Sequence, residues 1–141
     1  MRQASVFRLP DLLALLGVLA ALVMAFTQWP SLPHVIPIHF GMHGQVNGTG
    51  SRNWLFVPGM FSAVLCGSML LLRRAPRLYN LPAAPGSADR PRQEALAAQM
   101  VAWLAAVISW ISFGVTLAQV LSARGRMSSL VPWLIPLALF A

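Results

Sequence analysis

The segment WLFVPGMFSAVLCGSMLLL, residues 54–72, contains no charged residue and ends directly at Arg73 and Arg74. At about 1.5 Å per residue, a helix of this length crosses a hydrocarbon core about 30 Å thick. Pro58 falls in its first turns, where the missing amide donor costs little. The stretch therefore predicts a membrane-spanning helix, and the rest of the chain has to fit that setting.

Two further apolar runs flank this segment. Leu12–Phe26 follows Pro10 and Asp11, residues that favour the first turn of a helix, and with its flank it is just long enough to span. A cleaved signal peptide is the competing interpretation, because a basic start before an apolar run is also its signature. Met100–Leu121 is long enough to cross, and we expect its helix to begin within Ser87–Glu94.

Composition agrees with a membrane protein. Charged residues make up 9% of the 141 residues and hydrophobic residues 57%, whereas soluble proteins carry about 25% charged residues. A water-soluble globule with so little charge would aggregate. The net charge of +7 comes entirely from arginine. These arginines fall between apolar runs rather than on one polar face, so we expect no nucleic-acid partner.

These runs predict an all-α, polytopic transmembrane protein with three full spans. We expect residues 1–75 to form a two-span membrane domain with a loop at 29–53, and residues 76–99 to form an Arg-rich loop. Residues 100–141 would hold the third span and a partial fourth. The last run, Leu130–Ala141, is shorter than the 17 or so residues that a span needs, so it is an incomplete fourth span or an interfacial segment.

The arginines also predict orientation. With the N-terminus in the cytoplasm, seven arginines lie inside and three outside, as the positive-inside rule requires. Residues 29–53 then lie outside the cell, and residues 76–99 lie in the cytoplasm. We expect Arg73, Arg74 and Arg77 to contact anionic lipid headgroups, at about 1 kcal/mol each. Alternatively, these three residues serve orientation alone.

The loop at 29–53 is rich in proline and glycine and is expected to form an extracytoplasmic cap. Its prolines stop the first helix, and its glycines permit tight turns. Val35, Ile36 and Ile38 favour a short extended piece. We therefore predict a compact re-entrant or surface cap rather than a floppy loop.

The three histidines of the chain, His34, His39 and His43, lie in this loop. They are weak metal-ligand candidates, because Gly41 and Gly44 argue against a helix that would align them. The loop also contains no Cys, Asp or Glu to complete a site. We expect these histidines to hold turns by hydrogen bonds. No nucleophile–base set or phosphate-binding loop is present, so we expect neither an enzyme nor a cofactor.

A polar face is predicted on the third span. Ser109, Ser112, Thr116 and Gln119 are spaced by three, four and three residues, which puts them on one side of a helix. In lipid, such a face should turn toward other helices. Alternatively, the hydroxyls bond their own backbone. A small transporter or accessory subunit using this face is one functional hypothesis, although the apolar runs lack the ionisable groups typical of transporters.

A resemblance to a known family lies in LPHVIPIHFGMHGQVNGTGSR, residues 32–52. The segment resembles a small membrane domain of unknown function, found at the N-terminus of SdpI-type bacterial immunity proteins and in many small standalone membrane proteins. Asn47 stands where that family usually has Asp, and Arg52 where it usually has Lys. The positions that match in order and spacing are Leu32, Pro33, Ile36, Pro37, His39, Phe40, Gly44 and Ser51.

The resemblance covers about residues 10–75 and implies a place in the bacterial cytoplasmic membrane. One relative confers immunity to a secreted toxin and helps to pass a signal to a repressor, while most members have no assigned activity. A non-enzymatic immunity or signalling role follows as an expectation, with the bilayer and another membrane protein or a second copy as partners. The motif residues expected to carry it are Pro33, Pro37, His39, Phe40, Gly44, Asn47, Ser51 and Arg52.

Overall fold

The computed structural model describes residues 9–41 and 43–126, and these residues form a mostly helical protein. Within these described residues, three helices are long and apolar enough to cross a membrane, as the sequence predicts. The remaining runs, residues 1–8 and the predicted partial fourth span Leu130–Ala141, lie outside the described residues. The helices are α1 (Leu9–Gln28), α2 (Val57–Arg73) and α3 (Arg90–Ala123).

Proline and short polar residues set the helix boundaries. Asp11 lies in the first turn of α1, and Pro58 lies in the first turn of α2. A short 3-10 turn containing Pro30 follows α1, because proline cannot continue its hydrogen-bond ladder. Helix α3 begins at Arg90, within the predicted window, and its 34 residues make it about 50 Å long. It is therefore longer than the hydrocarbon core of a bilayer.

The loop between α1 and α2 contains a β-hairpin, so the all-α prediction is wrong there. Strands β1 (Val35–Phe40) and β2 (Val46–Ser51) pair antiparallel, from Val35 opposite Ser51 to Phe40 opposite Val46. Prolines exclude a helix in this stretch, while β-branched residues favour the extended backbone. The turn closes at Gly44, whose φ of 77° is a conformation that glycine adopts without strain.

Small residues let the helices approach closely. Gly17 of α1 lies against Ser109 of α3, so that a Cβ at Gly17 would sit 2.4 Å from the Ser109 Oγ. Helices in membranes commonly pack through such small residues, because their backbones can then come together. The other buried small apolar residues on α1 and α3 are Ala14, Ala21, Ala25, Ala102, Ala105, Ala106 and Ala118.

Many large apolar side chains of the helices point away from the bundle. Phe26, Val64 and Leu71 each expose about two thirds of their surface. In water, so much apolar surface would drive aggregation, whereas acyl chains solvate it readily. The burial pattern therefore agrees with helices that are surrounded by lipid.

Candidate functional site: the hairpin on the helix ends

The hairpin rests on the ends of α1 and α3 through a small apolar core. Ile36 of β1 and Leu55, in the 3-10 turn before α2, are both fully buried. They pack with Leu32, with Ala25 of α1 and with Val120 of α3. Residues from five parts of the chain therefore meet in one cluster and hold the hairpin against the helices.

Trp29 and Arg52 frame one side of this core. The Trp29 Nε1–H donates to Asn53 Oδ1 at 3.1 Å, and the Arg52 guanidinium lies 4.0 Å from the centroid of the Trp29 ring. The Arg52 backbone N–H donates to the His34 carbonyl at 2.9 Å, and its Nη1 donates to the Leu32 carbonyl at 3.4 Å. Cation–π stacking and these hydrogen bonds together join both ends of the hairpin.

The last turn of α3 is also tied to this end of the molecule. The Nη2 of Arg124 donates to Gln28 Oε1 at 2.5 Å and to Ser31 Oγ at 3.0 Å. These contacts link the end of α3 to the turn that follows α1. The hairpin and the two helix ends therefore form one packed unit.

The far part of the hairpin is exposed and polar. His39 Nδ1 and Asn47 Oδ1 lie 2.5 Å apart, which pairs the two strands through their side chains. His39 sits opposite Gly48, where a Cβ would meet the His39 Cβ at 3.0 Å. The His39–Asn47 pair is thus presented outward on a support whose base is buried.

The other motif residues mainly determine the backbone conformation of the hairpin. Pro37 and Phe40 are half-buried in β1, and Pro33 is exposed in the segment before it. Gly44 is buried at the turn, and its N–H donates to the Gly41 carbonyl at 2.8 Å. Ser51 caps the following 3-10 turn, since its Oγ accepts from the Asn53 N–H at 3.3 Å. The motif therefore builds the hairpin and presents its two polar side chains.

The side chains of the three histidines do not come together in a possible metal site. Across residues 9–41 and 43–126 no group of three or more His, Cys, Asp or Glu side chains could hold a metal ion. His34 and His43 are exposed, at the base and at the turn of the hairpin.

The polar face of α3 is buried. Ser109 and Thr116 are fully buried, and Ser112 and Gln119 are nearly so. The three hydroxyls donate to carbonyls of their own helix, at 2.8–3.0 Å. The two alternatives are therefore compatible: the face packs inward, and its hydroxyls bond to carbonyls of the same helix. Gln119 Oε1 has no hydrogen-bond partner among the described residues.

The opposite end of the bundle carries the arginines expected at lipid headgroups. Arg73, at the end of α2, forms an ion pair with Asp11 in the first turn of α1. Arg74 and Arg77 are exposed. Arg73 therefore has a carboxylate partner within the protein as well as any headgroup contact. Arg74 and Arg77 remain accessible to lipid headgroups.

Sequence reasoning missed several residues of the site. Asn53, Leu55, Gln28 and Arg124 were not singled out, although each holds the hairpin end together. Trp29 was not assigned to the site either. Its position beside Arg52 and Asn53 depends on chain segments more than 20 residues away, and no local pattern carries that information.

Comparison with known protein families finds a match in the N-terminal half of the chain. Residues 16–61 match the family model of a domain of unknown function, DUF1648. The match runs from the middle of α1 through the hairpin to the first turns of α2, about a third of the chain. It confirms the predicted domain of unknown function in this region. No curated protein and no solved structure matches the chain.

Proposed function

We propose that this protein is a non-enzymatic membrane protein of immunity or signalling type in the bacterial cytoplasmic membrane. Its N-terminus is placed inside and the hairpin outside, and the hairpin binds an extracytoplasmic protein or peptide. The hairpin and its resemblance to the SdpI-type domain support this role. The proposal assigns no catalytic residue, cofactor or nucleic-acid partner to the chain.

The proposal depends on a difference between the buried base of the hairpin and its exposed far part. Its base is fixed by the fully buried Ile36 and Leu55, while His39 and Asn47 are exposed at its far part. A prearranged polar surface binds at a lower entropic cost than a mobile loop, because little ordering remains to be done. Exposed polar residues on a rigid scaffold are typical of recognition sites.

A strain lacking the gene tests the role directly. If the protein confers immunity, the deletion strain loses survival in spent medium of the parent strain, and the wild-type gene restores it. The double variant His39→Ala, Asn47→Ala should fail to restore survival while reaching normal membrane levels. Thr49→Ala, on the same exposed strand, is the matched control and should restore it. A deletion strain with unchanged survival and unchanged envelope-stress response would contradict the proposal.

Cysteine labelling tests the orientation. In a Cys66→Ser background, Thr49→Cys and Ala88→Cys place single thiols at two exposed positions. In intact cells a membrane-impermeant maleimide should label position 49 and spare position 88 until the cells are lysed. The reverse pattern would place the hairpin in the cytoplasm and remove the extracytoplasmic partner.

Transport along the polar face of α3 is the alternative function. A water-filled path would need these hydroxyls to face solvent. Ser109, Ser112 and Thr116 are instead buried and bonded to their own helix. A packing role for this face explains the geometry better than a substrate path.

A further inference from the structure

A groove of about 360 Å³ lies between α1 and α2, away from the hairpin core. Ala14, Leu15 and Val18 line it from α1, and Ala105 of α3 also contributes. The residues that α2 contributes are Ala63, Cys66, Gly67, Met69, Leu70 and Arg73. The wall is almost entirely carbon, and the groove is open along one side. In a bilayer, this opening faces acyl chains rather than water.

The length of the groove matches one leaflet. Along α2 its lining runs from Ala63 to Arg73, and the rise between these two residues is about 15 Å. The hydrocarbon core is about 30 Å thick, so the groove extends from one membrane surface to about the midplane. An acyl chain of a single lipid has the reach and the chemistry to fill such a space.

One end of the groove is polar. Asp11 and Arg73 lie there, joined by their ion pair, at the first turn of α1 and the last turn of α2. The Nε of Arg73 is buried and has no hydrogen-bond partner among the described residues. A buried donor without a partner is costly, so a ligand oxygen at this position would be stabilising.

The charge at this end favours an anion. Arg74 follows Arg73 directly and is exposed, and the ion pair with Asp11 offsets one of these two positive charges, which leaves a positive surplus. Arginine binds phosphate oxygens through several N–H groups at once, and such hydrogen bonds are strengthened by the charges. A phosphate beside Arg73 would therefore satisfy the Nε donor and reduce the surplus.

We propose that this groove binds one anionic phospholipid, with an acyl chain between α1 and α2 and its phosphate accepting a hydrogen bond from the Nε–H of Arg73. The site is separate from the hairpin and does not depend on the proposed immunity or signalling role. It differs from general headgroup attraction, because a defined groove and a defined donor select one lipid molecule.

The test uses the full-length protein, delipidated in a mild detergent and titrated with phosphatidylglycerol while bound lipid is counted by native mass spectrometry. We expect one tightly retained phosphatidylglycerol and much weaker retention of phosphatidylcholine. Arg73→Lys keeps a positive charge beside Asp11 but removes the Nε donor. It should weaken retention roughly tenfold, the effect of one charge-assisted hydrogen bond. Arg92→Lys, at an exposed arginine in the first turn of α3, is the matched control and should not change retention.

A second variant tests the acyl part of the site. Gly67 lines the groove, and a Cβ at this position would meet no atom within 4 Å, so we expect the larger side chain of Gly67→Leu to occupy groove space. It should reduce retention of phosphatidylglycerol at least several-fold, whereas Val64→Leu, on an exposed part of α2, should not. If Gly67→Leu does not fold, Arg73→Lys decides alone.

Three results would overturn the lipid site. The first is equal retention of phosphatidylcholine and phosphatidylglycerol. The second is unchanged retention in Arg73→Lys. The third is thermal stabilisation by inorganic phosphate equal to that by phosphatidylglycerol, since the groove would then contribute nothing.

Discussion

At the hairpin end of the molecule, Ile36 and Leu55 are fully buried, and residues from both helix ends and the hairpin close over them. At the Arg73 end, α1 and α2 are joined by the ion pair between Asp11 and Arg73, and they leave a groove of about 360 Å³. The two ends of one bundle are therefore closed in different ways. The hairpin end is filled by side chains of the protein, whereas the Arg73 end leaves a groove that can accommodate a lipid chain.

This difference arises because different chain segments cover the two ends of the bundle. The hairpin and its flanking turns cover the helix ends, and polar groups at this end, such as those of Trp29 and Arg124, find partners within the chain. The connection between α2 and α3 leaves Arg74 and Arg77 exposed and Arg73 beside the groove. Headgroups can provide the missing contacts at that surface.

The largest expected effect is at the hairpin end. Leu55→Ala removes a fully buried side chain and should lower the free energy of unfolding by about 2–5 kcal/mol, because a cavity remains. Unfolding of the purified protein in mixed micelles, followed by circular dichroism, measures this. Leu71→Ala, at a position 67% exposed, should change the value little. Similar losses in both variants would mean that the hairpin core does not stabilise the bundle.

The ion pair should contribute less than the hairpin core. Asp11→Asn removes one charge of a mostly buried pair and should cost about 1.5–3 kcal/mol in the same unfolding measurement. A double-mutant cycle with Arg73→Gln separates the pair from other effects of Asp11 at the helix N-terminus. A coupling energy near zero would show that the Arg73 end is held by something other than this pair.

Two glycines test the region between the ends. Gly17→Ala puts a methyl group 2.4 Å from Ser109 Oγ and should cost about 1–3 kcal/mol, since α1 and α3 must move apart. Gly67→Ala meets open space and should be neutral or stabilising by up to about 1 kcal/mol, because alanine favours the helix. Equal effects on unfolding would mean that the close contact of α1 with α3 is not required.

The smallest expected effect is at the exposed part of the hairpin. Asn47→Ala removes the hydrogen bond to His39 and should lower global stability by only about 0.5–1 kcal/mol. Amide exchange of the turn between the strands should become faster, while exchange of Ile36 and Leu55 should not change. Faster exchange at those two residues would show that the hairpin folds and opens as one unit with its base.

Local physics made much of the fold predictable. Three apolar runs of sufficient length, with Pro58 in the first turn of one and Pro30 just after another, determine where the helices lie. The spacing of Ser109 to Gln119 likewise determines that those side chains share a face, since helix geometry is the same everywhere. Each of these features depends on neighbours within a few turns, so the sequence alone determines them.

Only the tertiary structure decided which distant groups meet. The pairing of β1 with β2, the ion pair between residues 62 apart and the contact of Arg124 with Gln28 across 96 residues depend on how the helices dock. Docking in turn depends on close fit at contacts such as Gly17 with Ser109, which composition does not encode. The chain alone therefore determined that helices form and that they are long and apolar enough to span a membrane. The packing decided which end of the bundle is filled by side chains and which end keeps a groove.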